Sequence, residues 1–452
     1  MGPIVIIGNG IAGITTARQV RKRSTAPIIV ISSETEHFFS RTALMYIFMG
    51  HMKYEHTKPY EDWFWEKNKI QLIYDHVEQV NFKGKSLQLR SGKTVSYEKL
   101  VLATGSKPNK FGWPGQDLKG VQSLYSYQDL ELLEENVSKG VRKAVIVGGG
   151  LIGIELAEML HTRDIEVTFL VREDGFWRSV LPKENAELVN QHITEEHHLD
   201  MRYGCNLKEI VPDENGRVKS VIIEETGEEI PCELVGLTAG VSPNVDFLRN
   251  TELEIDKGIL VNAYLETNID FVYAVGDCVQ FKNPAPGRRA IEPVWYTGRM
   301  MGECLGQTLS ELRKAYKPGV WFNSAKFFDI EYQTYGTVNA NPQEHEGVFH
   351  WEHKSGKKSL YIVYDKKSQQ VIGVNAFGIR LRHHVMDYII RNKHTIQYLI
   401  EHLRDVNFDP EFYKNHSKEI AKAYETQFHT KVRLKYKNWF RIMKATKESI
   451  LQ

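Results

Sequence analysis

The chain is poor in the features that would place it in a membrane, on nucleic acid or outside the cell. Its 452 residues carry a net charge of only +1, which gives no reason to expect nucleic acid as a partner. No apolar run approaches the roughly 18 residues that span a bilayer. The first apolar strand begins directly after Pro3, which leaves no room for a signal peptide and predicts a cytoplasmic protein.

Cysteine is scarce, and its distribution argues against several kinds of site. The four cysteines lie far apart, with no C-x-x-C pair and no metal-type spacing: Cys205, Cys232, Cys278 and Cys304. His345, His350 and His353 lie along a predicted strand-and-loop stretch and not at a spacing typical of a metal site. We therefore expect no metal there, nor at the pair His383-His384. The hydrophobic fraction of 42% and the charged fraction of 25% are ordinary for a globular protein with a sizeable core.

Glycine, by contrast, is organised into two turns. Gly148, Gly150 and Gly153 follow an apolar run at residues 144–147 in the spacing G-x-G-x-x-G, and a helical pattern comes next. The first glycine of such a turn allows a tight bend, and the second lets a pyrophosphate approach the backbone. The third lets the helix pack close to the strand. One such turn is a weak signal, but this is the second copy in the chain.

The first copy opens the chain. Gly8, Gly10 and Gly13 follow an apolar strand predicted at Ile4–Ile7, and a helical stretch comes next. Glu34 lies about twenty residues beyond these glycines, close to the end of a second apolar strand. An acidic residue in that place can hydrogen-bond the ribose of an adenosine. Two copies about 140 residues apart predict two nucleotide sites.

Further motifs complete a pattern that resembles a known family. An apolar strand runs into Ala103-Thr104-Gly105, and a later segment reads Tyr273-Ala274-Val275-Gly276-Asp277. With the two glycine turns and the spacing from Glu34 to Arg41, these motifs resemble the pyridine nucleotide–disulfide oxidoreductase superfamily over roughly residues 4–305. The members of that superfamily are flavoproteins with two dinucleotide-binding domains. The first domain holds FAD, and the second holds NADH or NADPH.

The resemblance implies an α/β fold with two Rossmann-like dinucleotide-binding domains, a C-terminal α+β interface domain and a basic helical tail. The expected boundaries are 1–118 with 247–317 for FAD, 119–246 for NAD(P)H, 318–412 for the interface domain and 413–452 for the tail. Within the interface domain, alternation predicts strands at 327–335, 347–352, 359–364 and 371–376, and helical spacing predicts a helix at 385–403. Such a domain often forms a dimer interface, so a dimer is possible and the oligomeric state stays open.

The resemblance also assigns residues to the cofactors. Those carried over to FAD are Gly8, Gly10, Ile11, Ala12, Gly13, Glu34, Arg41, Val77, Ala103, Thr104, Gly105, Gly276, Asp277 and Trp295. Those carried over to NAD(P)H are Gly148, Gly150, Leu151, Ile152, Gly153, Arg172, Arg178 and Gly240. The first glycine turn would cradle the FAD pyrophosphate and Glu34 the adenosine ribose. Arg41 resembles a flavin-contacting arginine of the nitrite-reductase-like and ferredoxin-reductase-like members, and Asp277 would accept a hydrogen bond from the ribityl chain.

Two residues are assigned to the reaction itself. Glu155, early on the helix after the second glycine turn, would lie near the nicotinamide. Trp295 ends the segment Glu292-Pro293-Val294-Trp295, which resembles the segment against the pyrimidine edge of the flavin. Plain core packing of Trp295 remains the alternative.

One absence separates this chain from the disulfide-reducing members. These carry a redox cysteine pair, or a single active cysteine, soon after the adenosine-binding acid, whereas residues 39–46 here contain no cysteine. Without a thiolate, neither a mixed disulfide nor a charge-transfer partner can form. Cys278 directly follows Asp277, where a small residue fits the turn, and we interpret it as structural. Electrons are therefore expected to leave directly from the flavin.

The second fold indicates which nicotinamide is used. An NADH-preferring site usually has a carboxylate at the end of the second strand, but Val171 occupies that position. Arg172 and Arg178 resemble the arginine pair that NADPH-using members direct at the 2′-phosphate. Alternatively, both arginines are simply solvated, or Arg172 stacks on the adenine. The pattern favours NADPH.

The tail departs from the family pattern. Residues 431–447 carry seven Lys or Arg and no acidic residue. Four positions recur at helical spacing and predict a basic amphipathic helix: Val432, Tyr436, Trp439 or Phe440, and Met443. Such a helix could lie on an anionic membrane surface, dock an acidic electron carrier such as a ferredoxin or flavodoxin, or pack onto its own domain.

These patterns favour an FAD-dependent NAD(P)H oxidoreductase. It would accept a hydride at flavin N5 and pass electrons to a small acidic redox protein, as rubredoxin and ferredoxin reductases do. Two alternatives stay open. One is a type II NADH dehydrogenase that reduces a quinone, although the segment before Trp295 lacks the glutamine-containing pattern of that group. The other is a signalling or scaffold flavoprotein like apoptosis-inducing factor, which would oxidise NAD(P)H sluggishly with every acceptor.

Overall fold

The structure, a computed structural model, describes residues 2–310, 312–408, 414–435 and 439–450. The N-terminal part supplies, in order, β1 (Ile4–Ile7), α1 (Ile11–Arg21), β2 (Ile28–Ser32), α2 (Leu44–Phe48), α3 (Trp63–Lys67), β3 (Ile70–Tyr74), β4 (Val77–Asn81), β5 (Ser86–Leu89), β6 (Thr94–Ser96), β7 (Lys99–Leu102) and β8 (Ser106–Pro108).

The central part begins with a second set of strands and helices. These are β9 (Val121–Gln122), α4 (Tyr127–Ser138), β10 (Lys143–Val147), α5 (Leu151–His161), β11 (Glu166–Val171), α6 (Lys183–Gln191), β12 (Asp200–Tyr203), β13 (Leu207–Pro212), β14 (Val218–Ile223), β15 (Glu229–Pro231), β16 (Leu234–Leu237) and β17 (Val241–Pro243). A π-helical turn, His192–Glu196, continues α6. The chain then returns through β18 (Ile259–Val261), β19 (Val272–Ala274), β20 (Val279–Phe281) and α7 (Trp295–Leu309).

The first sheet is parallel, in the order β19-β7-β1-β2-β3. Every residue of β1 is buried, as expected for a central parallel strand that is covered on both faces. Helices α1 and α7 pack together on one face, and their close approach depends on glycine. A Cβ at Gly302 would lie 2.5 Å from the carbonyl oxygen of Ala12, and one at Gly306 would lie 2.3 Å from the Cβ of Gln19.

The second sheet repeats this plan in the order β12-β11-β10-β16-β9, with β10 at its centre. Two chain segments cross between the sheets, and their strands β8 and β17 pair antiparallel in a ribbon. At one end of this ribbon, the Thr104 hydroxyl donates to the backbone carbonyl of Asn244 (2.8 Å). The backbone amide of Asn244 donates to the carbonyl of Gly105 (2.9 Å). The two crossings are therefore held side by side.

The C-terminal part is an antiparallel sheet covered by helices. It comprises β21 (Phe322–Phe327), β22 (Ile330–Gly336), β23 (Glu346–Glu352), β24 (Ser359–Asp365), β25 (Val371–Phe377), α8 (His383–Arg391), α9 (Ile396–Glu401), α10 (Leu403–Val406), α11 (Ser417–Phe428) and α12 (Trp439–Ile450). The sheet order is β21-β22-β25-β24-β23. Helices α8, α9 and α11 cover a hydrophobic core built on this sheet, and α12 packs on α8.

The predicted α/β class with two Rossmann-like folds is confirmed, whereas two C-terminal predictions are wrong. The single helix predicted at 385–403 is three helices, because the chain turns after α8 with Lys393 in the left-handed region and Thr395 capping α9. The single strand predicted at 327–335 is interrupted by a tight turn at Phe328-Asp329. Among the described residues, no helix combines the length and the apolar character needed to cross a bilayer.

The predicted tail helix is correct only in its second half. Residues 431–435 are not helical, and α12 begins at Trp439. Ile442 and Ala445 are buried, whereas Met443, predicted to belong to the apolar stripe, is exposed. Tyr436 and the side chains of Trp439 and Phe440 lie outside the described residues. The described part of α12 thus packs onto its own domain.

Candidate active site

A cavity of about 850 Å³ lies at the carboxyl ends of the first sheet. The segments that follow β1, β2, β7 and β19 all contribute to its wall. Ligands of open parallel sheets bind at this edge. Most of the residues predicted to contact FAD line the cavity: Gly8, Gly10, Ile11, Ala12, Glu34, Arg41, Val77, Ala103, Thr104, Gly105, Gly276, Asp277 and Trp295.

The first glycine turn is shaped by steric exclusion. Gly8 has a φ of +108°, and a Cβ there would lie 2.1 Å from the carbonyl oxygen of Ala103. A Cβ at Gly13 would lie 2.1 Å from the carbonyl oxygen of Gly8, so this residue, which does not line the cavity, lets α1 pack against the turn. A Cβ at Gly10 would meet nothing within 4 Å. Gly10 therefore leaves open space between the backbone and the cavity, at the uncapped N-terminus of α1.

A buried asparagine, which the sequence analysis missed, fixes this turn to the end of β2. The Asn9 side chain accepts a hydrogen bond from the Ser32 hydroxyl (2.9 Å) and donates to the carbonyl of Thr35 (2.8 Å). Its position between Gly8 and Gly10 is the feature of the sequence that could have identified it.

Glu34 and Arg41, which were assigned separate roles, form an ion pair within the cavity wall. The Arg41 guanidinium donates to both carboxylate oxygens of Glu34, at 2.7 and 2.5 Å, and to the carbonyl of Tyr125 at 2.6 Å. Burial opposes the charge of Arg41, but Glu34 outweighs it and raises the pKa of the guanidinium. The Tyr127 amide also donates to Glu34 (2.9 Å). A fixed positive charge thus faces the cavity beside a largely satisfied carboxylate.

Asp277 lies in the same wall with two partners that the sequence analysis missed. The Ser106 hydroxyl donates to Asp277 (3.2 Å), and the Ser106 amide donates to the Tyr125 hydroxyl (3.0 Å). Burial raises the pKa of Asp277, and it raises the pKa of Tyr125 to about 12. Ser106 directly follows the Ala103-Thr104-Gly105 motif, and this position could have identified it from the sequence. Nothing in the local sequence marks Tyr125 as a site residue.

Glu155 reaches the cavity from the second fold. It lies on α5 and lines the cavity together with Ile152. Burial and the nearby charge of Glu158 raise the pKa of Glu155 to about 7, and Lys326 partly opposes this shift. Lys326, on β21, donates instead to Glu158 (2.6 Å). The cavity therefore contains a carboxyl group that changes its protonation state near neutral pH.

Trp295 is the first residue of α7 and lines the cavity with Pro293 and Gly298. Its ring packs perpendicular to that of Tyr296, with 5.4 Å between centroids. The guanidinium of Arg299 lies 6.0 Å from the Trp295 ring centroid. Trp295 is half-buried, so its ring forms part of the cavity wall.

The second glycine turn reproduces the first. A Cβ at Gly148 would lie 2.8 Å from the carbonyl oxygen of Thr238, and one at Gly153 would lie 2.6 Å from the carbonyl oxygen of Gly148. A Cβ at Gly150 would again meet nothing within 4 Å. Leu151 begins α5 immediately afterwards, and Gly240, with a φ of +91°, turns the chain between β16 and β17.

The two predicted phosphate arginines lie beyond the end of β11, outside the large cavity. The Arg172 side chain is 77% exposed, with Glu173 at 3.7 Å. The Arg178 side chain is 21% exposed, and it donates to the carbonyl of Leu181 (3.0 Å). Arg172 is thus free to reorient, whereas Arg178 is already held in place.

All four cysteines are free thiols, and none of them lines the cavity. The Cys278 thiol is buried and donates to the carbonyls of Val275 (3.3 Å) and Leu102 (3.5 Å). Burial raises the pKa of the Cys278 thiol, and it raises that of Cys232 to about 12. Buried, protonated thiols are poor nucleophiles.

Comparison with known proteins gives the family. The sequence matches the family described as pyridine nucleotide-disulphide oxidoreductase over residues 2–302. The chain belongs to this family. As a pyridine nucleotide-disulphide oxidoreductase, it is an FAD-dependent enzyme that oxidises a nicotinamide dinucleotide.

Two curated relatives and one solved structure illustrate the likeness. An NADH oxidase of Methanocaldococcus jannaschii is 30% identical over 342 residues, covering 72% of this chain and 74% of the relative. An NADH-rubredoxin oxidoreductase of Clostridium acetobutylicum is 32% identical over 287 residues, covering 63% of this chain and 70% of the relative. An engineered water-forming NADPH oxidase, solved with NADPH bound, superposes with a TM-score of 0.77 at 17% identity, covering 94% of this chain and 99% of its own.

Proposed function

We propose that this protein oxidises NADPH through FAD held in the large cavity and passes the electrons to a small redox protein of the rubredoxin or ferredoxin kind, without a cysteine relay. The observation that carries the proposal is the composition of the cavity wall. Both dinucleotide-binding folds contribute to it, Arg41, Glu155 and Asp277 are among the charged residues that line it, and no described cysteine does. When bound, FAD supplies the chemistry that accepts two electrons together and releases them one at a time.

The residues of the wall fit FAD. The volume of about 850 Å³ lies within the range of cofactor sites. Gly10 leaves backbone amides of α1 open to a pyrophosphate, and Arg41 adds a half-buried guanidinium that suits its negative charges. Asp277 presents a carboxyl group that can accept a hydrogen bond from a ribityl hydroxyl.

Glu155 and Trp295 are proposed to act at the reacting end. Glu155 is contributed by the second fold, which is proposed to bind the nicotinamide nucleotide, and its carboxyl can hold or release a proton near pH 7. Trp295 closes the cavity at the start of α7, where its ring excludes water.

The end of β11 supports NADPH as the donor. Val171 offers no carboxylate to repel a 2′-phosphate, and Arg172 follows it directly, with Arg178 six residues further on. The engineered NADPH oxidase shows the same pattern in its substitutions: an aspartate is removed, the next residue becomes arginine, and a second arginine follows six residues later. Guanidinium groups bind a phosphate through charge-assisted hydrogen bonds.

The acceptor is inferred from charge and from the relatives. One relative is named for its reduction of rubredoxin. Lys431, Arg433 and Lys435 are exposed at alternate positions of the segment before α12, and Lys444 and Lys447 are exposed on α12. A basic surface of this kind steers an acidic carrier towards the protein.

The test is an acceptor panel with NADPH as the only donor. We expect rubredoxin or ferredoxin to be reduced many times faster than a soluble quinone or oxygen, and Cys278→Ser to retain nearly the full rate. Fast reduction of the quinone alone would indicate a type II dehydrogenase instead, and uniformly sluggish oxidation would indicate a scaffold flavoprotein. Loss of most activity in a flavin-loaded Cys278→Ser variant would show that a thiol relay exists.

A further inference from the structure

A cluster of two histidines and an aspartate lies outside both dinucleotide sites, between α6 and the C-terminal sheet. Its members are His192, His197 and Asp329. His192 begins the π-helical turn that continues α6, His197 follows the turn directly, and Asp329 belongs to the turn between β21 and β22. No motif in the sequence links these residues, because Asp329 lies 132 residues beyond His197.

The π-helical turn brings the two imidazoles together. Residues five apart in an α-helix point about 140° away from each other, since each residue advances the helix by 100°. The wider π turn places residues i and i+5 on one face, and the Nε2 atoms of His192 and His197 lie 3.3 Å apart. Such turns are rare and occur frequently at functional sites.

The hairpin turn delivers the carboxylate through an unusual backbone conformation. Phe328 has a φ of +55°, which is uncommon for a bulky aromatic residue, and its ring stacks on that of His197 with 3.9 Å between centroids. Asp329 then places Oδ1 2.5 Å from Nε2 of His192 and 3.4 Å from Nε2 of His197. Strained residues persist where the surrounding structure enforces them, and they cluster at functional sites.

The three candidate ligand atoms form a triangle, and two of its three edges have the length expected around a tetrahedral metal ion. Two donor atoms bound to one Zn²⁺ at about 2.0–2.1 Å with tetrahedral angles lie roughly 3.3–3.4 Å apart. The edges of 3.3 and 3.4 Å match this separation. The edge of 2.5 Å, between His192 and Asp329, is that of a hydrogen bond and would open by about 0.8 Å around an ion.

The surroundings leave the correct atoms available. The Nδ1 atom of His192 is buried with no hydrogen-bond partner among the described residues, and the Glu196 carboxylate lies 3.6 Å from it. A metal on Nε2 would require the proton on Nδ1, where Glu196 can accept it, as in carboxylate–histidine–zinc arrangements. Lys357 contacts Glu196 and lies 3.2 Å from Oδ2 of Asp329, so it does not occupy Oδ1, the oxygen that faces the two histidines.

We propose that His192 Nε2, His197 Nε2 and Asp329 Oδ1 bind one divalent transition-metal ion of the Zn²⁺ class, with water completing the coordination. Two imidazoles and one carboxylate are a preferred donor set for such ions. The ion would join α6 of the second fold to the β21–β22 hairpin and clamp the C-terminal sheet in place. The ion takes no part in the proposed electron transfer.

A second histidine cluster provides the matched control. His353, His416 and Glu419 also lie near one another, with Glu419 3.4 Å from Nδ1 of His416 and 3.9 Å from Nε2 of His353. Lys358 donates to Nε2 of His416, which leaves the proton of that ring on Nδ1, the atom that faces Glu419. None of these three residues lies in a π-helical turn. Substitution there removes a histidine without touching the proposed site.

The test is Zn²⁺ titration of the untagged, flavin-loaded protein after chelator treatment, against a competing chromophoric chelator. We expect one equivalent to bind the unmodified protein and His353→Gln. Affinity should fall by more than about 100-fold in His197→Gln and Asp329→Asn, since loss of a ligand exceeds the loss of an outer-shell partner. Zn²⁺ should raise the melting temperature of the unmodified protein and His353→Gln only.

Co²⁺ supplies a second readout that does not depend on stability. Tetrahedral Co²⁺ on these ligands should give visible bands at wavelengths longer than the flavin absorbs, and these bands should be absent from Asp329→Asn. The proposal is overturned if the unmodified protein binds no stoichiometric Zn²⁺, or if binding survives in His197→Gln and Asp329→Asn. It is also overturned if binding is lost in His353→Gln alone, because the ion would then lie in the other cluster.

Discussion

At the scale of single residues, the chemistry depends on which side chains are kept from water and which are open to the cavity. Cys278 lies one residue from Asp277, yet its thiol points into the protein and bonds two carbonyls. Asp277 and Glu155 face the cavity, and burial raises the pKa of both carboxyls. Burial thus makes both of these carboxyl groups easier to protonate than free carboxyl groups.

Glu155 should make stability depend on pH. Its pKa rises from an ordinary 4.5 to about 7 on folding, so the folded chain holds this proton more tightly than the unfolded chain. The stabilisation that the folded chain gains by holding this proton is therefore complete below pH 4.5 and is lost as pH rises through 7. Glu155→Gln should match the unmodified protein at pH 5 and exceed its stability by about 1–3 kcal/mol at pH 8.

Thermal unfolding at both pH values, with equal excess FAD, measures this difference. Glu131→Gln, which alters an exposed carboxyl on α4, is the control and should change little at either pH. An equal effect of Glu155→Gln at pH 5 and pH 8 would contradict the prediction.

The two arginines beyond β11 should determine the choice of nucleotide. Replacing Arg172 and Arg178 with alanine should raise KM for NADPH at least about tenfold, since each charge-assisted hydrogen bond contributes about 1.5–3 kcal/mol. KM for NADH should change less than about twofold. Stopped-flow reduction of the bound flavin at varied nucleotide concentration gives the corresponding half-saturation constants without an acceptor. Arg90→Ala, at an exposed arginine elsewhere, serves as control. Faster reduction of the unmodified protein by NADH, with no change in the double variant, would rule out NADPH preference.

At the scale of elements, the two glycine turns are copies that can be tested against each other. A Cβ at Gly10 or at Gly150 meets no protein atom within 4 Å, so a larger residue should be tolerated by the fold and should obstruct only a ligand. Gly10→Val should therefore lose FAD while keeping its circular dichroism spectrum. Gly150→Val should keep the yellow colour but resist reduction by NADPH. Loss of flavin from both variants alike would show that the two turns do not have separate roles.

The elements also show what a sequence can and cannot reveal. Strands β1 and β3 and the helix after each glycine turn were predictable because their apolar pattern and their turn residues are local. The turn at Phe328-Asp329 was not, because a left-handed phenylalanine has no sequence signature and depends on contact with His197. Tyr125 likewise reaches the candidate site through tertiary contacts alone, as the bonds from Arg41 and Ser106 show.

At the scale of the whole molecule, the C-terminal part does more than cover a sheet. Lys326 extends from β21 to Glu158 on α5, and Asp329 extends from the next turn to α6. The C-terminal sheet thus touches both helices of the second fold that border the candidate sites. Changes in its packing should be felt at Glu155, whose pKa Lys326 helps to limit.

The tail should contribute to this packing through one face of α12. Ile442 is 6% exposed and joins the core of the C-terminal part, whereas Met443 is 57% exposed. Ile442→Ala should lower the free energy of unfolding by about 2 kcal/mol, and Met443→Ala should change it by less than about 0.5 kcal/mol. Thermal denaturation of the two variants measures the contrast. Equal effects would mean that α12 does not pack on α8 in solution.

The ribbon of β8 and β17 has a mechanical consequence. Two crossings that were separate would act as two independent tethers and would let the glycine-turn folds twist, slide and tilt against each other. Joined edge to edge by hydrogen bonds, they behave as a flat strap, which bends readily across its thin direction and resists shear within its plane. We therefore expect any rotation of the second fold relative to the first to occur mainly about one axis, and such a rotation would change the distance between Glu155 and Asp277.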